Sequence, residues 1–165
     1  MVTPRTVVRS LAVMALAVTA SARATYAQQR ATQVVTFRVE GIDQIAFNGA
    51  PSLVISSATA GRSASVRAPG GVWSVTTNHA SAKITASIDE ELPAGLTLSV
   101  RLTPPPGAEG TGLRALSATP VEVITNLSPT AARDLPLTYQ LDATVTAGVV
   151  VAGTRTVVFT ITGGM

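Results

Sequence analysis

Cysteine is missing from the sequence, and histidine occurs once, at His79. Without a thiol there is no disulfide framework and no thiolate nucleophile. A single imidazole cannot supply the usual zinc ligand set. A Ser-His-Asp hydrolase needs its histidine oriented by a carboxylate, whereas His79 lies in the turn-like run Thr77-Asn78-His79-Ala80-Ser81, the setting of a solvated turn residue. Neither a GxxxxGK[ST] loop nor a GxGxxG between strand and helix is present, so no nucleotide cradle is expected. Charge is sparse at 13% of residues, and the one acidic cluster, Asp89-Glu90-Glu91, lacks the alternating spacing of a calcium loop. It reads as a solvated hairpin tip. No catalytic residue, no cofactor-binding residue and no metal ligand is therefore expected.

What is present begins with an export signal. Arg5 and Arg9 precede an uncharged apolar run over residues 11–20, and small residues follow at Ala20-Ser21-Ala22 and Thr25-Tyr26-Ala27. This is the layout of a bacterial-type signal peptide over residues 1–27, with cleavage after Ala22 or Ala27. The apolar run is well short of the ~20 residues that span a bilayer, so no membrane span is expected after cleavage. Removing 27 residues leaves 138, the size of a single domain over residues 28–165. Three of the 12 basic side chains (Arg5, Arg9 and Arg23) leave with the signal, and the remaining nine balance nine acids. The near-neutral mature chain gives no reason to expect a nucleic-acid partner. The protein is read as exported, to a periplasm, the cell surface or the medium.

Past the signal, side chains alternate with period two, which places successive residues on opposite faces of a strand. Residues 137–145 carry Leu137, Tyr139, Leu141, Ala143 and Val145 on one face and Thr138, Gln140, Asp142 and Thr144 on the other. Residues 96–102 and 83–88 repeat the pattern, and further strands are expected at 33–39, 52–55, 63–67, 72–77, 121–125 and 155–162. Turn residues at 48–51, 69–71, 93–95 and 152–153 separate them. No long helical stripe intervenes. The expected fold class is all-β, an immunoglobulin-like antiparallel β-sandwich of about seven to nine strands, with a barrel as the other architecture of this pattern. One-sided alternation favours sheets that bury one face and wet the other. Trp73, Phe37, Phe47, Tyr139 and Phe159 are the candidate core aromatics. Residues 103–116, with three prolines and three glycines, are expected to form a long loop or an edge excursion.

The segments Trp73-Ser74-Val75-Thr76-Thr77-Asn78, Lys83-Ile84-Thr85-Ala86-Ser87-Ile88-Asp89 and Leu92-Pro93-Ala94-Gly95-Leu96-Thr97-Leu98 resemble the central hairpin of secreted bacterial β-sandwich proteins of the spore coat U and fimbrial-subunit type. Residues 155–162 are similar to the final strand of such subunits. The resemblance covers about half of the mature chain. It implies a surface domain that assembles through strand exchange, and it transfers no functional residue. Many members of those families carry a cysteine pair that this chain lacks, which sets it apart from chaperone-dependent assembly.

Two functional readings follow. The first is a non-enzymatic structural or adhesive surface protein whose partner is a second copy or another surface subunit, joined by β-strand addition. The donor is then the segment 28–40, with Val35, Phe37 and Val39 alternating, or alternatively Val157, Phe159 and Ile161. The second is a monomeric module that holds a small ligand or glycan in loops at one end of the sandwich, with Trp73, Asn78, His79 and residues 104–112 as candidates.

Overall fold

The computed structural model describes residues 30–164, so the expected signal peptide and both candidate cleavage sites lie outside the described residues. Residues from Arg38 onward form one compact unit. It contains nine strands: β1 (Asp43–Asn48), β2 (Ala64–Thr77), β3 (Ala82–Ile88), β4 (Leu96–Leu102), β5 (Glu109–Gly110), β6 (Arg114–Ala115), β7 (Val121–Leu127), β8 (Thr130–Ala143) and β9 (Val157–Thr162). A single 3-10 turn at Val145–Ala147 follows β8. The strands form two sheets, ordered β1-β2-β8-β4-β6 and β5-β7-β3-β9, and every pairing is antiparallel. The expected all-β sandwich is the observed architecture.

Alternation explains which faces meet. Leu98, Val100 and Leu102 of β4 and Leu137 and Tyr139 of β8 point inward from the first sheet. Ala82, Ile84, Ala86 and Ile88 of β3 point inward from the second. Trp73, Ile84, Leu102, Ile124 and Leu127 are the largest fully buried side chains between them. Each such burial contributes roughly 1.5–3 kcal/mol, enough to hold a domain of this size without cross-links. Desolvation in this layer pushes the Tyr139 phenol up to about 12.

Several strands differ from the periodicity. Pro69-Gly70-Gly71 does not end a strand: β2 runs through it, and a register shift between Pro69 and Gly71 marks a bulge. Gly70 has no room for a side chain because the Tyr139 ring and Leu137 lie against it. Gly71, at φ 95°, brings the backbone against the Asn48 carbonyl at the end of β1. β8 likewise begins seven residues earlier than expected and passes through Pro136, with Asp134 in the left-handed region at a second bulge opposite Ser74. Residues 33–39 and 52–55 have strand-like sequences but form no strand. β1 was not expected, since its Asp43-Gln44-Ile45-Ala46-Phe47-Asn48 carries only a short alternation before a turn signal.

Residues 103–116 are an edge excursion. Their two short strands pair with different sheets, β6 with β4 and β5 with β7. The chain thus crosses from one sheet to the other along one side of the sandwich. Pro105 and Leu116 are buried beneath the crossing, and Thr111 ties it to β7 through its amide and hydroxyl.

Candidate functional site

On the opposite side no strand links the two sheets among the described residues. The two edges there are β1 in the first sheet and β9 in the second. β9 reads Val157-Val158-Phe159-Thr160-Ile161-Thr162, with no charge and no proline. Edge strands of soluble proteins usually carry a lysine, a proline or a bulge that discourages further pairing, and β9 has none of these. Its inward residues Val157, Phe159 and Ile161 are only half-buried.

Phe47 of β1 meets Phe159 of β9 across the gap between the sheets, ring centroids 4.0 Å apart and planes 18° from parallel. Phe47 also stacks against Trp73 at 6.2 Å and remains 37% exposed. The indole N–H of Trp73 has no acceptor among the described residues, and burial of such a donor without a partner is costly. Together these groups make an aromatic layer that is open to solvent at its outer margin.

The candidate donor residues precede β1. Val35 is 71% exposed, Phe37 88% and Val39 77%, and residues 30–42 carry no strand. Arg38 and Glu40 form an exposed ion pair at 3.1 Å. Val157, Phe159 and Ile161, the alternative donor, belong to β9, which pairs along one edge with β3.

Asn78 and His79 lie in the turn between β2 and β3, and they are engaged with the chain's own backbone. The Asn78 side chain accepts from the Ile42 amide at 2.7 Å and donates to the Glu40 carbonyl at 2.8 Å. The Asn78 amide donates in turn to the Ile42 carbonyl at 3.2 Å. His79 Nδ1 lies 3.1 Å from Asp43 Oδ2, an electrostatic contact without the alignment of a good hydrogen bond. Asp43 Oδ1 accepts from the Thr77 hydroxyl at 2.7 Å. That hydrogen bond, followed by the contact and charge of His79 and the Gly163 amide, outweighs desolvation and holds the Asp43 carboxyl below its usual range. The hydroxyl in this group faces the carboxylate and not the imidazole, so the arrangement is not that of an activated nucleophile.

Trp73 is fully buried in the aromatic layer and offers no surface to a ligand. Shallow hollows among the described residues include one of about 140 Å³ beside Gln44 and Ser74 and one of about 330 Å³ beside Ser57 and Arg62. Neither is lined by Trp73, Asn78 or His79. The acidic run is held by Arg155, which donates to the Glu90 and Glu91 carbonyls and lies 3.7 Å from the Glu90 carboxylate. Among the described residues no group of three or more His, Asp or Glu side chains is placed to hold a metal ion.

Gly41, Asp43 and Gly163 were not expected at this corner. A signal existed only for the glycines, which stand beside the apolar segments at either end of the domain. A scan of protein-family models and a search of curated proteins found no match to the chain.

Proposed function

We propose that the protein is an exported, non-enzymatic structural or adhesive subunit that assembles by β-strand addition. Residues 33–39 of one copy are the donor, and the free edge of β9 in the next copy is the acceptor. The carrying observation is a pairing of opposites. An alternating apolar segment has no strand of its own, and an uncharged edge strand stands beside an aromatic layer whose outer ring, Phe47, is partly exposed. Main-chain hydrogen bonds along β9 would supply affinity. Val35, Phe37 and Val39, entering on the inner face, would cover Phe47, Phe159 and Ile161. Thr36 and Arg38 then fall on the outer face. The resemblance to fimbrial-type subunits points the same way, and the signal peptide supplies the route to the surface.

The test is the mass of the mature chain by light scattering across a range of concentrations, for the native sequence and for Val35→Asp/Phe37→Asp. Both substituted residues are exposed, so the fold should tolerate the change. The expected result is concentration-dependent polymers for the native chain and monomers for the variant. A native chain that stays monomeric, or a variant that polymerises equally well, overturns the reading.

A further inference from the structure

The geometry points to the Asn78–His79 turn as an anchor that sets where the donor arm ends and the fold begins. This rests on the strand-addition reading and concerns its control. The side-chain amide of Asn78 presents one acceptor and one donor to Ile42 and Glu40, two residues apart on the same edge of the chain. A neighbouring strand would offer the same pair of groups at that spacing, so Asn78 acts as a one-residue substitute for a strand partner. The Asn78 main-chain amide adds a third bond, to the Ile42 carbonyl.

His79 reinforces the anchor from the other side. A Cβ on Gly41 would lie 2.7 Å from the imidazole Cε1 and Nε2, and one on Gly163 would lie 2.7 Å from Nδ1. The ring therefore fills the space between two glycines, one just before β1 and the other just after β9. A Cβ on Gly164 would strike the Ala80 carbonyl at 2.2 Å, so the chain leaving β9 lies against the same turn. The two edge strands of the open side are thus tied to one turn at one end, while their edges remain unpaired along the rest of their length. Residues up to 39 are then free to leave the molecule, and residues from Ile42 onward cannot do so without breaking three hydrogen bonds and displacing the ring. The anchor fixes the exit of the arm and keeps β1 from peeling away with it. Fixing that exit lowers the ordering cost when the arm docks on another copy.

The experiment uses the full mature chain as native protein, Asn78→Ala, Asn78→Asp and Gly41→Ala, with far-ultraviolet dichroism to check folding. Amide exchange at Ile42 is read by NMR, and self-association by light scattering. Asn78→Ala should speed exchange at Ile42 about tenfold, as expected for the loss of one hydrogen bond, while amides in β8 stay unchanged. Asn78→Asp keeps the acceptor for the Ile42 amide and should leave its exchange within about threefold of native. Gly41→Ala should shift the His79 ring resonances. Self-association of Asn78→Ala should weaken roughly three- to tenfold. Native-like exchange at Ile42 in Asn78→Ala overturns the anchor, whatever happens to assembly. Faster exchange with unchanged self-association removes its role in assembly and leaves strand addition standing. A native chain that never associates defeats the strand-addition reading and the anchor's part in assembly together, while Ile42 exchange still decides whether the contact is made.

Discussion

The two sides of this sandwich solve the edge problem differently. On one side the chain crosses between sheets within residues 103–116, so the edges there are strands of two residues, Glu109–Gly110 and Arg114–Ala115. Each carries a charge, prolines precede them, and Leu116 is buried beneath. On the other side the edges are six residues long, and β9 is uncharged throughout. Short, charged, proline-flanked edges are what soluble proteins use to prevent pairing with other molecules. One side of the domain has those protections, and β9 on the other lacks them. The difference is informative because both sides belong to the same chain in the same solvent, so solubility alone does not account for it.

The comparison is tested most severely by deleting packing on each side. Leu116 is buried at the closed side, and Leu116→Ala should cost ~2–5 kcal/mol in urea denaturation. Phe159 is larger but only partly buried at the open side, and Phe159→Ala should cost less than a fully buried phenylalanine would, about 1–2 kcal/mol, because the ring is not fully enclosed. If Phe159→Ala cost the monomer as much as Leu116→Ala, the open side would be a closed core and the contrast would fail.

The asymmetry was only partly legible in the sequence. Alternation identified β3, β4, β7, β9 and most of β8 because those strands bury one face, and burial is what imposes the pattern. It also marked residues 33–39, which alternate as clearly but pair with nothing among the described residues. Periodicity reports that a segment is suited to a sheet and is silent on which molecule provides that sheet. Pro69-Gly70-Gly71 misled in the other direction. Glycine and proline mark turns, but here they make a bulge that admits the Tyr139 ring and the end of β1, a demand set by residues far away in sequence. Asn78 and His79 stood out in the sequence as candidate loop-binding residues, and the structure places them against the chain's own backbone and Asp43. Their partners Gly41, Asp43 and Gly163 were hidden because they are 35 or more residues distant and have nothing in common beyond meeting at one corner.

A smaller effect is expected from the pH dependence of that corner. The Asp43 carboxyl is held below its usual range in the folded protein, so the unfolded chain binds its proton first as pH falls. The resulting stabilisation is complete above the ordinary aspartate value of about 3.9 and is lost as pH drops through the lowered folded value. Stability measured at pH 6 and again near pH 3 should therefore fall more in the native protein than in Asp43→Asn, which keeps an acceptor for the Thr77 hydroxyl but has no proton to gain. An equal fall in both proteins would show that Asp43 is not stabilised by its contacts with Thr77, His79 and Gly163. The same loss in acid should weaken the tie between β1 and the end of β9, and with it one end of the open side.

The smallest change to the fold gives the sharpest test of what the open edge is for. Thr160 is exposed on the outer face of β9, opposite Thr85 of β3, so its replacement should alter monomer stability by no more than ~0.5 kcal/mol. If the arm adds to β9 with Val35, Phe37 and Val39 inward, Arg38 comes to lie on that same outer face. Thr160→Lys would then place like charges on one face, and Thr160→Glu opposite ones. Cross-strand charge pairs contribute roughly 0.2–1 kcal/mol in either direction, so the two variants should differ by about two- to thirtyfold in self-association, with glutamate the stronger. Because screening weakens exposed charge pairs, raising the ionic strength should draw the two together. A general edge effect, in which any charge on β9 blocks pairing, would weaken both variants alike and would not distinguish lysine from glutamate. Only a donor that carries Arg38 on the outer face predicts opposite signs, so the pair of substitutions reports the facing of the arm as well as its presence.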